Sequence, residues 1–410
     1  MPVQTCLESE QKQLFEEIEE DVLGCIHCGL CQAFCQSFRA LGSEASSPRG
    51  RVHLIRAASE GRVDLGNQGF EHFWLCTLCN RCELACPIGL KMADLVRKVR
   101  NIYGDRLPEG LRATVAAHLD TGNNMSVTKE DYLDTLEWME EELQAELDDP
   151  TFRIPLDVKG ARYLHTFNPK EPRFYPLLIQ YAANIYRAAG ESWTVSSEAW
   201  DVTNYALYDG NDERATEIAR RLFDRARELG VEAVVASECG HGYYAMRWGA
   251  EKWLGKENVL PVRSVVEVMA DYITSGRIQV DPSVHAGALH TYHDPCHLGR
   301  KGGIFDEPRQ IIQACVPNFV ELADNRESSW CCGGGGGALA MTELTPKRRL
   351  TAEMKAEQIR QSGAEIVITA CHNCHDQLED IKKVYGLTYK LKNLSEIVSK
   401  ALVQPSAETA

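Results

Sequence analysis

The sequence predicts a mixed α+β and α/β protein: a helical N-terminal module, a helical linker, and two similar α/β halves of which the first is degenerate. Three observations lead there. Of sixteen cysteines in 410 residues, thirteen gather into two early runs and one late set. Beyond Pro155, apolar strand-like stretches, turns and helical patterns alternate in two successive rounds, which implies parallel sheets with functional side chains at the carboxyl ends of strands. Between these regions, ten acids crowd residues 130–149. The expected units are 1–105, 106–155, 156–280 and 281–403.

The early runs are Cys25, Cys28, Cys31 and Cys35, then Cys76, Cys79, Cys82 and Cys86, each spaced C-x2-C-x2-C-x3-C, the second ending in Cys86-Pro87. This is similar to the bacterial ferredoxin pattern, in which three closely spaced cysteines wrap one cube of iron and sulfide and the fourth serves the other cube. That resemblance implies one cubane 4Fe–4S cluster on Cys25, Cys28, Cys31 and Cys86, and a second on Cys76, Cys79, Cys82 and Cys35. Gln36 stands where proline is usual after the first run. A structural zinc site uses two C-x2-C pairs and leaves the x3-C spacing unexplained.

Composition bounds the setting. Lys and Arg number 44 against 59 Asp and Glu, a formal charge of −15. This acidity disfavours nucleic acid and anionic lipid as direct partners. No apolar run approaches the ~20 residues a spanning helix needs. The longest, over residues 174–186, is interrupted by Pro176, Gln180 and Asn184. The N-terminus lacks the apolar core of a signal peptide, so the chain is expected in the cytoplasm, with any membrane tie made through another protein. In that reducing compartment the cysteines read as metal or redox chemistry rather than disulfides.

Five later cysteines form a second constellation: Cys296, the adjacent pair Cys331-Cys332, and Cys371-x2-Cys374. Adjacent cysteines strain a single tetrahedral metal but suit neighbouring irons of a larger assembly. Gly333 and Gly334 open a five-glycine run whose backbone N–H groups can approach inorganic sulfide. As a phosphate loop the run lacks the following Lys-Ser/Thr. The spacing resembles the CCG domain of heterodisulfide reductase catalytic subunits and their relatives. In that family five such cysteines hold a noncubane 4Fe–4S cluster.

A two-cluster ferredoxin module followed by CCG domains resembles the D-type heterodisulfide reductase subunit, the K subunit of the dissimilatory sulfite-reduction membrane complex, and the matching Tmc and Hmc subunits. Ser47-Pro48-Arg49-Gly50-Arg51 is a segment this superfamily tends to carry. The resemblance implies an iron–sulfur subunit attached peripherally to the inner membrane, through a cytochrome b-type subunit and other redox subunits. It implies a substrate that is a small DsrC-like protein with a C-terminal cysteine pair, in disulfide or trisulfide form.

Along the chain, residues 10–24 read as an amphipathic helix entering the first loop, and 90–99 as a helix leaving the second. Leu133, Leu136, Leu143 and Leu147 share one face of the linker helix, whose acids either face solvent or dock a partner. In the later half, residues 290–296 lead into Cys296, and a strand over 364–370 ends at Cys371. In the earlier half, residues 161–167 and a strand over 231–237 occupy the matching places. Aligning Val234-Val235 with Val367-Ile368 sets Glu238 opposite Cys371 and His241 opposite Cys374. The first half has therefore lost the cysteine set, which departs from reductases with two intact halves.

Cys315 reads as a buried apolar residue and Cys6 as a terminal bystander. Cys239, in Glu-Cys-Gly-His, either faces the substrate or is a structural remnant. His297, His372 and His375 beside the late cysteines are candidate proton donors to a leaving thiolate, or hydrogen-bond donors to sulfur. Asp294 and Arg300 share these loops without an assigned role. Cys371-x2-Cys374-His375 spells a haem attachment signal, which its place at a strand end beside the other late cysteines disfavours. The rival function is an electron-transfer subunit without its own substrate, similar to the iron–sulfur subunits of glycolate, glycerol-3-phosphate or lactate oxidation systems.

Overall fold

In both early cysteine loops the backbone turns left-handed at alternate positions, at His27 and Gly29 in the first and at Leu78 and Asn80 in the second. Such alternation gathers successive N–H groups into one concavity. The computed structural model describes residues 15–66 and 68–403. Cys6 and the start of the helix expected over 10–24 lie outside them. What is described of that helix is Glu19–Gly24, preceded by buried Phe15 and Ile18.

The helix Pro48–Ser59 joins the two loops, and the Ser-Pro-Arg-Gly-Arg segment builds its start. Ser47 caps it by accepting the Gly50 N–H at 2.9 Å, with Pro48 in the first turn. A Cβ on Gly50 would lie 1.8 Å from the Glu44 carbonyl oxygen, so only glycine fits. Arg51 is buried and donates to the His72 carbonyl at 2.8 Å and to Ser37 Oγ at 3.1 Å, tying together the two cysteine loops. The helix leaving the second loop spans Met92–Ile102, starting two residues later than its sequence pattern suggests.

The acidic stretch folds as two helices, Glu109–Thr121 and Lys129–Leu147. Thr128 caps the second by accepting the Asp131 N–H at 3.1 Å. Its seam is Tyr132, Leu136, Met139 and Leu143, all buried, with Leu133 and Leu147 only partly covered. At roughly 2 kcal/mol per buried side chain, this seam holds the helix to the body while most of its acids stay in water.

Two parallel sheets follow. The first contains β1 (Tyr163–Thr166), β2 (Trp193–Thr194), β3 (Ala233–Ala236) and β4 (Val262–Ser264), in the order β2-β1-β3-β4. The second contains β5 (His290–His293), β6 (Ile366–Thr369) and β7 (Lys390–Lys392), in the order β5-β6-β7, with Phe319 bridging to His290 on the free side of β5. Helices pack between strands as parallel crossovers require. The carboxyl ends of β5 and β6 deliver Cys296 and Cys371; that of β3 delivers Cys239. Cys315 is fully buried in the apolar core.

Arg100 binds the N-terminal module to the α/β body. It is fully buried and donates to the carbonyls of Phe73 (2.9 Å), Cys76 (2.8 Å), Tyr208 (2.8 Å) and Gly336 (2.8 Å). Replacing it leaves four buried acceptors without donors. Arg100→Met is expected to lower unfolding free energy by about 3 kcal/mol. Arg100→Lys should recover only part of this, because a single ammonium cannot reproduce the planar fork. Denaturant melts of the three proteins check it.

Candidate functional site

The early cysteines line two cavities. One, of about 30 Å³, is lined by Cys25, Cys28, Cys31, Cys86 and Cys82. The other, also of about 30 Å³, is lined by Cys35, Cys76, Cys79 and Cys82. The fold thus brings each run's first three cysteines together with the last of the other run. Burial pushes the Cys31 thiol up to about 11 and the Cys82 thiol well above its ordinary range. Cys28 is exposed, whereas Cys35, Cys76, Cys79 and Cys82 are half-buried.

The five late cysteines converge at the ends of β5 and β6 and on the Cys-Cys-Gly turn. All are buried free thiols. Hydrogen bonds donated by neighbouring thiols hold Cys331, Cys332 and Cys371 below the ordinary range, Cys371 at about 6, while Cys296 and Cys374 are raised in return. The Gly333 and Gly334 N–H groups point at Cys331 Sγ and Cys332 Sγ, each at 3.4 Å.

The turn is pressed against the second early loop. A Cβ on Gly335 would approach the Thr77 carbonyl oxygen to 2.7 Å, and one on Gly336, where φ is +65°, the Cys76 carbonyl oxygen to 2.5 Å. Cys79 packs into the late cysteine cluster, and its thiol is raised chiefly by hydrogen bonding to Cys331. Two further arginines fix this contact. Arg300 donates to the carbonyls of Cys79 (2.7 Å) and Ser329 (2.6 Å). Arg81 donates to the Ser328 carbonyl at 2.9 Å and lies 3.3 Å over the Trp330 ring.

The remaining site residues divide. His297 Nδ1 is 3.5 Å from Cys296 Sγ. His372 instead turns its Nε2 to Glu171 at 2.7 Å; burial pulls the imidazole down, but this carboxylate more than offsets it and raises the pKa. His375 packs edge-on against Tyr175 and is lowered by burial. Cys239 Sγ accepts from Asn168 Nδ2 at 3.3 Å and lies 3.4 Å from His241 Nδ1; burial and then Cys371 raise its thiol. The β3 and β6 loops touch directly, the His372 N–H donating to the Glu238 carbonyl at 3.0 Å.

Glu238 itself fastens the start of the helix Leu394–Ala401, accepting the Ser395 N–H at 2.7 Å and the Leu394 N–H at 3.0 Å. Asp294 accepts a two-point guanidinium contact from Arg309, one arm at 2.8 Å, and the Arg326 N–H at 2.8 Å, which anchors the loop leading to Cys296.

The donor set fits an iron–sulfur group. Buried nitrogens around the late thiols lack partners among the described residues: both of His293, Arg300 Nη2, Arg348 Nε and Gln377 Nε2. A cluster whose sulfides accept hydrogen bonds accounts for donors left over in a dry thiol pocket. Sequence reasoning missed His293, although it lies only three residues before Cys296, and Tyr208, buried beside Cys239, Cys296 and Cys371.

Comparison with known proteins agrees with this geometry. Residues 21–90 match the 4Fe-4S dicluster domain family and residues 290–379 the cysteine-rich (CCG) domain family. The chain is therefore an iron–sulfur protein with a dicluster domain ahead of a CCG domain.

Among its relatives is the D-type subunit of the dihydromethanophenazine:CoB–CoM heterodisulfide reductase of Methanosarcina barkeri, 24% identical over 92% of this chain and 93% of that protein. The glycolate oxidase iron-sulfur subunit of Escherichia coli is 27% identical over 98% and 99%. A probable membrane-anchored ferredoxin of Chromohalobacter salexigens is 27% identical over 92% of this chain, which spans 59% of that protein. The likeness to the D-type subunit read from the cysteines holds. Among the described residues no helix is long and apolar enough to cross a membrane.

Gly336→Ala should separate the Cys-Cys-Gly turn from the Cys76 loop, since the new methyl group meets backbone in a left-handed conformation. We expect a loss of about 3 kcal/mol in denaturant melts, together with slower reduction of the late site by a pre-reduced N-terminal module in stopped-flow spectra. Gly61→Ala, where no described residue lies within 4 Å of the new methyl although φ is +68°, is the control for backbone strain alone.

Proposed function

We propose that the chain is the iron–sulfur subunit of a membrane-associated redox complex that reduces, or in reverse forms, a sulfur–sulfur bond. The observation that carries this reading is five buried thiols, at two strand ends and on the Cys-Cys-Gly turn, with Cys79 of the second early loop against Cys331. Cys25, Cys28, Cys31 and Cys86 would hold one cubane cluster, Cys76, Cys79, Cys82 and Cys35 the other, and Cys296, Cys331, Cys332, Cys371 and Cys374 a noncubane cluster cradled by Gly333 and Gly334. These groups, when bound, supply one-electron transfer and, at the late site, iron able to hold sulfur.

The residues around them manage protons and access. Reduction of a disulfide takes two electrons and two protons and releases two thiols, so a donor near the leaving sulfur speeds the step. His297, within 3.5 Å of Cys296 Sγ, is best placed for that role. His372 and His375 stand further back, His372 oriented by Glu171. Cys239 lies on the opposite wall, at the place where an intact first half would carry its own cysteine set. The order β1-β3-β4 in the first sheet parallels β5-β6-β7 in the second, which supports descent of both halves from one repeat, with units at 1–105, 106–155, 156–280 and 281–403.

Electrons would be exchanged with a cytochrome b-type membrane subunit, bringing the chain to the inner membrane face, and the substrate would be a small protein with a cysteine pair, in disulfide or trisulfide form. The glycolate oxidase relative favours a second reading: electron transfer from a separate flavoprotein, with no substrate bound at the late site.

Two measurements separate these readings. Anaerobically purified protein should contain about twelve iron atoms per chain, four per cluster; about eight would remove the late cluster. Adding a dithiol peptide that carries a C-terminal cysteine pair to the oxidised protein should produce a new paramagnetic signal, lost in Cys332→Ser. No signal with any thiol, alongside rapid reduction by a flavoprotein, would leave only the electron-transfer role.

A further inference from the structure

Lys355 is the most buried lysine of the described residues, with no exposure at all. It projects from the helix Thr345–Ser362, and among the described residues its Nζ has a single hydrogen bond, a long one of 3.4 Å to Ser329 Oγ. An ammonium group so placed costs several kcal/mol unless a negative charge stands beside it. Its charged neighbours are Asp294, Cys331, Cys332, Arg300 and His293. Asp294 is already held by Arg309, and Arg300 repels. The thiolates of Cys331 and Cys332 are what remains to balance it.

His293 ends β5 on the same side. It is fully buried, and neither ring nitrogen has a partner among the described residues. A ring nitrogen lies within 4.8 Å of the sulfurs of both Cys332 and Cys374, which are themselves that close together. Two polar side chains, from a helix and a strand distant in sequence, thus leave their hydrogen-bonding capacity unused toward one group of thiols. Tyr208 lies near Cys371, Cys296 and Cys239.

We propose that Lys355 and His293 form the fixed cationic and hydrogen-bonding wall of the late cluster and raise its reduction potential. This rests on the iron–sulfur reading of the five late cysteines. Donors and positive charge beside a cluster favour the reduced, more negative form, so the wall draws electrons from the cubane bounded by Cys79.

The test is a redox titration of the full chain, followed by electron paramagnetic resonance with iron content measured on each sample. Lys355→Met, which keeps length and apolar stem, should retain about twelve irons. Its ratio of reduced to oxidised late cluster at a fixed potential should fall about tenfold, with the two cubanes unchanged. Lys355→Arg should restore the ratio, and His293→Gln should shift it in the same downward direction. If Lys355→Met sheds the late cluster, His293→Gln decides.

An unchanged potential in a variant that keeps all its iron overturns the proposal. So does a rise in stability of Lys355→Met with no redox change, which would make Lys355 only a poorly solvated packing residue. Wild-type protein with about eight irons would instead sink the cluster reading itself.

Discussion

Guanidinium groups bonded to backbone carbonyls hold the redox loops of this protein in contact. Arg100, Arg300 and Arg81 each reach from one cysteine-bearing segment to another, and their acceptors are the carbonyls that a loop wrapped around metal cannot pair internally. A loop with its N–H groups turned toward sulfur has its carbonyls turned outward. A planar fork with five donors satisfies several of them at once, which a lysine cannot do. These arginines therefore fix the distance between the second early cavity and the late thiols, the quantity on which electron transfer between them depends.

The late site is made by two parallel sheets meeting at their carboxyl ends, the usual place for function in open α/β folds. The second sheet supplies the cysteines. The first supplies a wall with Cys239, His241 and Asn168, and its Glu171 orients His372 across the junction. The half without ligands is thus a built part of the site. Cys239 with Asn168 and Glu171 with His372 are paired there, while His241 Nε2, like the donors on the Lys355 side, has no partner among the described residues.

Much of this was legible in the sequence because metal ligation is local: the spacings at Cys25 to Cys35, Cys76 to Cys86 and Cys331-Cys332 are short and depend on side-chain chemistry alone. The strand ends at Cys296, Cys371 and Cys239 followed from apolar runs stopping at polar turns. The arginine contacts were not legible, since Arg100 and Gly336 lie 236 positions apart and a carbonyl acceptor has no residue type. The linker seam was only partly read, because leucines were counted while Tyr132 and Met139 fill the same stripe. Lys355 looks like any surface lysine of a polar helix until the fold buries it.

The most direct measurement is Mössbauer spectroscopy of anaerobically prepared protein enriched in iron-57. The account predicts that about one third of the absorption belongs to a third cluster distinct from two cubanes, and that this fraction alone disappears in Cys331→Ser. Absorption fully described by two cubanes, with zinc or no metal bound by the five late cysteines, would contradict it.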